Sequence, residues 1–140
     1  MKQRFGRFVA LFFVLSFVMS LAALPLSAQP RQKVVKKGTV TKVVAIAKPK
    51  VFNGRCPATI QFVGTIFVKN PPVTVEYEWL RSDGATGGHQ TIEIRSAGQG
   101  VYDSWTLGSP KEHLRVWEKV HVISPVNRTS APATAVVNCK

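Results

Sequence analysis

From Ala58 onward the chain alternates apolar and polar residues with a period of two, as strands with one buried face do. In Ala58 to Lys69, Ile60, Phe62, Gly64, Ile66 and Val68 share one face, while Thr59, Gln61, Val63, Thr65 and Phe67 share the other. Asn70-Pro71-Pro72 breaks this run. Val73 to Arg81 turns Val73, Val75, Tyr77 and Trp79 inward and Thr74, Glu76, Glu78 and Leu80 outward. Ser82-Asp83-Gly84 is a turn, and the glycines that follow extend it into a loop ending near His89. Thr91 to Ser96 alternates Ile92 and Ile94 with polar residues, and Val101 to Leu107 sets Trp105 and Leu107 in one phase with Tyr102 out of it. In Leu114 to Ile123, Val116, Val120 and Val122 are in phase and Trp117 is not, as at a bulge. Ala131, Ala133, Ala135, Val137 and Cys139 share a face of the last strand. Upstream, Thr39 to Ala47 is a first strand with Val40, Lys42, Val44 and Ile46 on one phase, its lysines suiting a sheet edge. Seven antiparallel strands separated by turn signals, with no helical period after the N-terminal apolar run, predict an all-β sandwich in one domain.

The only two cysteines, Cys56 and Cys139, fit that sandwich as a pair. If successive strands reverse direction, the start of the second strand and the end of the seventh lie at one pole. Cys56 is in phase with Ile60 and Phe62, and Cys139 with Val137, so both pole and face agree with one disulfide between them.

The N-terminus has the three parts of an export signal: Lys2, Arg4 and Arg7, then an apolar run from Phe8 to Leu24, then Pro25-Leu26-Ser27-Ala28. Cleavage after Ala28 is expected, the alternative being an uncleaved membrane anchor; it makes residues 1–28 a signal peptide, 29–38 a basic flexible tether and 39–140 the sandwich domain. No transmembrane segment remains after that cleavage. The expected location is periplasmic, cell-surface or extracellular, where a disulfide persists. This division reinterprets the formal net charge of +12. The signal carries +3, residues 29–55 carry +8 with no acid, and residues 56–140 carry only +1. Arg31, Lys33, Lys36 and Lys37 in the tether are therefore candidate contacts to an anionic surface. The tether has no aromatic residue on which bases could stack, which argues against specific nucleic-acid binding.

Candidate chemistry is sparse. His89, His113 and His121 lack metal-ligand spacing with one another or with an acid. Asp83 is explained by its turn, Ser82 lies in no nucleophile elbow, and the glycines at 84–88 lack the Lys-Ser/Thr of a phosphate loop. No enzyme, metal or cofactor is expected. Phe67, Leu80 and Trp117, apolar residues on outward or ambiguous positions, are candidate partner contacts together with Arg81 and His89 in the loop region. Clustering of the three apolar side chains would favour binding; dispersal would favour a structural role.

Trp79, in Val75-Glu76-Tyr77-Glu78-Trp79, occupies the place of the buried tryptophan on the third strand of immunoglobulin-like domains. With the stretches Cys56 to Val68, Val73 to Ala85 and Val120 to Pro125, the chain from Val40 to Cys139 resembles secreted bacterial immunoglobulin-like or fibronectin-III-like modules. It departs from immunoglobulin domains in placing its second cysteine on the last strand and in lacking a Tyr-x-Cys corner. The resemblance implies a seven-stranded sandwich and sets only a prior on function. The expectation is a non-enzymatic exported binding or adhesion-type module for a protein or anionic envelope polymer. The alternative is a structural or envelope-accessory domain without a discrete ligand.

Overall fold

The computed structural model describes residues 36–140; the expected signal segment, Arg31 and Lys33 lie outside the described residues. Nine strands are present among them, not seven. They are β1 (Thr39–Lys48), β2 (Val51–Gly54), β3 (Ala58–Lys69), β4 (Val73–Arg81), β5 (Gln90–Ile94), β6 (Gly98–Leu107), β7 (His113–Ser124), β8 (Arg128–Thr129) and β9 (Ala133–Cys139). One sheet has the order β1-β3-β6; the other runs β2-β9-β7-β4-β5, with β8 added alongside β7. The two sheets pack face to face as a sandwich around a core drawn from both.

The two additional strands are the ones with too few residues to display a period. After β1 the chain turns at Pro49, leaves the three-stranded sheet and runs beside β9 as β2. That pairing, Val51↔Val136 to Gly54↔Cys139, is parallel, so the expected all-antiparallel arrangement holds for every pair except this one. The two-residue β8 pairs with His121 and Val122 of β7.

The phases predicted for β3, β4 and β9 match the buried positions, from Ile60, Phe62, Ile66 and Val68 to Ala133, Ala135, Val137 and Cys139. The phase of β1 does not. Its pairing with β3 shifts register between Val40 and Lys42. The irregularity moves the following inward positions by one residue, so Val43 and Ala47 are buried while Ile46 is exposed. Trp117 is not at a bulge: it takes a regular outward position on β7 opposite Thr134, and the irregularity in the β4–β7 ladder lies between Glu76 and Tyr77.

Trp79 is buried at the centre of the sandwich. Gly64, across the core on β3, makes room for it: a Cβ there would lie 2.6 Å from Val120 Cγ2, 2.7 Å from Val101 Cγ2 and 3.3 Å from Trp79 Cη2. Trp79→Ala should therefore open a cavity and lower stability by roughly 3–5 kcal/mol in urea unfolding. A loss within the range of surface substitutions, about 0.5 kcal/mol, would show that the indole is not a core element.

Candidate functional site

Three regions hold the side chains with chemical potential. The first lies inside the sandwich. Arg81, Asp103 and Glu118 all fall on inward positions of their strands, in phase with Trp79, Trp105 and Val120 respectively. Glu118 is fully buried, and Arg81 is its cross-strand partner. The Glu118 carboxyl is pushed up to about 8, with burial as the largest cause. The negative charge of Asp103 acts in the same direction, and the Arg81 guanidinium opposes both. Asp83 adds a smaller upward push. Arg81 Nε lies 3.9 Å from Glu118 Oε1, too far for a hydrogen bond, while its Nη2 reaches Asp83 at 3.1 Å. The Arg81 guanidinium stacks on Trp105, 3.8 Å from the ring centroid. Trp79 Nε1, Arg81 Nε and both oxygens of Glu118 are buried without a hydrogen-bond partner in bonding geometry. The neutral acid is thus the form that the interior tolerates. Tyr77 is also shifted upward, by burial and then by Asp103, and its hydroxyl donates to Gln90 Oε1 at 2.6 Å.

The second region is the outer face of the larger sheet. His121 Nδ1 and His89 Nε2 lie 2.9 Å and 3.6 Å from different oxygens of Glu78, and His89 Nδ1 lies 3.2 Å from Glu76. The two imidazoles flank one carboxylate rather than converging on a common point. Among the described residues, no group of three His, Cys, Asp or Glu side chains is placed to hold a metal ion. Trp117 and Leu80 are also on this face, and Lys119 links them: it is the cross-strand partner of Leu80, and its Nζ lies 4.6 Å from the Trp117 ring centroid.

Phe67 is on the other sheet, so the three apolar candidates do not form one patch. Arg81 and His89 are not free loop groups either. Arg81 closes the interior cluster, and His89 pairs with Glu76 and Glu78. Lys36 and Lys37 are exposed just ahead of β1.

The third region is the outer face of the three-stranded sheet, which holds Phe67. Outward residues form rows across all three strands: Lys42–Phe67–Gly98, Ile46–Val63–Tyr102 and Lys48–Gln61–Ser104. Tyr102 is 69% exposed and lies back over Gly100, where a Cβ would sit 2.8 Å from its hydroxyl oxygen. The Phe67 ring covers Gly98 in the same way. None of the seven acids of the chain takes an outward position here. β1 and β3 contain none, and Asp103 of β6 turns inward. A shallow concavity of about 330 Å³ opens between β3 and β6, lined by Gln61, Phe62, Tyr102, Asp103 and Ser104.

Glu118, Asp103 and Gln61 were not among the expected site residues, and Tyr102 stood out only as an aromatic out of phase with Trp105. The first two were legible as acids at inward positions of otherwise apolar phases; Gln61 had no comparable signal. No protein-family model matches the chain, and no curated protein matches it. Among the described residues no helix is long and apolar enough to cross a membrane.

Proposed function

We propose that this is an exported, non-enzymatic binding module that holds an anionic envelope polymer. Its surface would be the outer face of the three-stranded sheet together with the basic segment that leads into it. The observation that carries this reading is the segregation of charge. Lys42, Lys48 and Lys69 lie on outward positions of that sheet, Lys36 and Lys37 precede it, and no carboxylate faces outward among them. The acids Glu76, Glu78 and Glu93 belong instead to strands of the other sheet. A face of one sign raises the local concentration of an oppositely charged polymer and discourages self-association. The strand order, with β1-β3-β6 facing β2-β9-β7-β4-β5, supports an immunoglobulin-like or fibronectin-III-like reading of the sandwich.

The test is capture of the full exported chain on its native envelope fraction at low and high salt. Capture should weaken at high salt and on combined replacement of Lys42, Lys48 and Lys69 by glutamine. Deleting Arg31 to Lys37 should weaken it further. Absence of capture at low salt, or capture that ignores both salt and lysines, would reject the reading.

One observation favours the structural alternative: Phe67 is separated from Leu80 and Trp117, and its ring fills the gap over Gly98. Under that alternative, Phe67→Ala should lower stability without changing capture.

A further inference from the structure

We propose that the β3–β6 concavity and the rows around it form a docking platform for a polysaccharide whose repeat carries carboxylates. This names the partner class for the surface proposed above and rests on that reading. Two adjacent rows divide the work. Ile46, Val63 and Tyr102 make an apolar row across the sheet, and Lys48, Gln61 and Ser104 make a polar row beside it.

A pyranose ring has the same two-sided character. Its C–H face carries partial positive charge and stacks on the negative face of an aromatic ring, while its hydroxyls need donors and acceptors. Tyr102 presents such a ring lying back along the strand, 69% exposed. Gln61 offers both amide donors and a carbonyl acceptor, and Ser104 offers a hydroxyl, on the rim of the same concavity. Phe62 lines it too, but its side chain is fully buried, so it supplies only the floor.

Charge selects an acidic polymer over a neutral one. Lys48 is the cross-strand neighbour of Gln61 at the end of the polar row, and Lys42 lies farther along the same edge strand. Asp103 is the one acid touching the concavity; it occupies an inward position, and its Oδ1 accepts the backbone N–H of Ser104 at 2.7 Å. A bilayer fits less well, because rings lying back over Gly98 and Gly100 do not project from the sheet into a lipid interface.

The test is retention of the intact domain on immobilised polygalacturonate, with dextran and vesicles containing phosphatidylglycerol as parallel arms. Gln61→Ala removes an exposed group and should keep the melting temperature of the parent; Tyr102→Ala uncovers Gly100 and should lower it only slightly, leaving the domain folded under assay conditions. Each should weaken retention on polygalacturonate about tenfold, and Tyr102→Phe should restore most of it. Equal retention of all variants, equal retention on dextran, or retention on vesicles alone would overturn the proposal. If Tyr102→Ala binds the native envelope fraction as tightly as the parent and in a salt-dependent way, the platform is wrong while the broader anionic-polymer reading stands. If the parent chain fails to bind that fraction at all, the broader reading is wrong.

Discussion

Glu118→Gln is expected to stabilise the domain at pH 8 and above by roughly 3–5 kcal/mol, and to change it little at pH 4.5. The carboxyl sits near 4.5 when unfolded and is pushed up to about 8 by burial and by Asp103 when folded. Between those values the folded chain holds a proton that the unfolded chain has released. Unfolding stability therefore falls as pH rises through this window, and it is flat in this group below and above it. The folded state is most stable with Glu118 neutral. Once the group ionises, its charge is fully buried, with Arg81 Nε at 3.9 Å as the nearest compensation. Glutamine keeps the shape but removes the titration. Denaturant unfolding of both proteins from pH 4.5 to 9, plotted as the difference between them, cancels the other titrating groups. A difference that does not grow with pH would refute the neutral-acid assignment.

Cys56→Ser with Cys139→Ser, or reduction of the parent, should lower stability by up to about 4.5 kcal/mol in the chain-entropy account. The bond joins residues 83 apart in sequence, with Cα atoms 5.3 Å apart. It connects the segment just ahead of β3 to the end of β9, and so fastens one sheet to the other at one pole. The prediction that Cys56 and Cys139 pair is met, although the strand now numbers ninth. The bond is packed as well as tethered. Gly108, at φ +94°, lies against it where a Cβ would come within 2.7 Å of Cys139 Sγ and 2.9 Å of Cys56 Sγ. Urea unfolding with and without reductant measures the effect. A loss below about 1 kcal/mol would mean that the pole is held by the ladder contacts alone, such as Lys140 N–H to Gly54 O at 2.8 Å.

The parts of the fold that could be read in advance share a physical cause. On β3, β4 and β9 one face is buried along most of the strand, so a slip of one residue would expose the whole apolar set. That constraint is written into the sequence as alternation, and Trp79, Ile60 and Val137 were legible from it. β1 was misread because its irregularity exists only in the pairing with β3: Val43 replaces Lys42 as the inward residue, and nothing within the strand announces the shift. β2 and β8 are held by partners distant in sequence, β9 and β7, and are too short to carry a pattern of their own.

The candidate sites follow the same division. Phase alone puts Arg81, Asp103 and Glu118 on inward faces, but their meeting depends on which strands are neighbours and in what register. Likewise, Tyr102 and Gln61 are simply outward residues until β6 is paired with β3 and Val63 brings Tyr102 into line with Ile46. By itself the sequence determined the all-β class, the core faces of β3, β4 and β9, the disulfide and the concentration of positive charge ahead of residue 56. Each follows from local alternation or from composition. The tertiary structure alone decided that Phe67 parts from Leu80 and Trp117, that a buried glutamic acid meets Asp103, and that one sheet face is free of acids. Those outcomes depend on strand order and register, which arise from contacts between residues far apart along the chain.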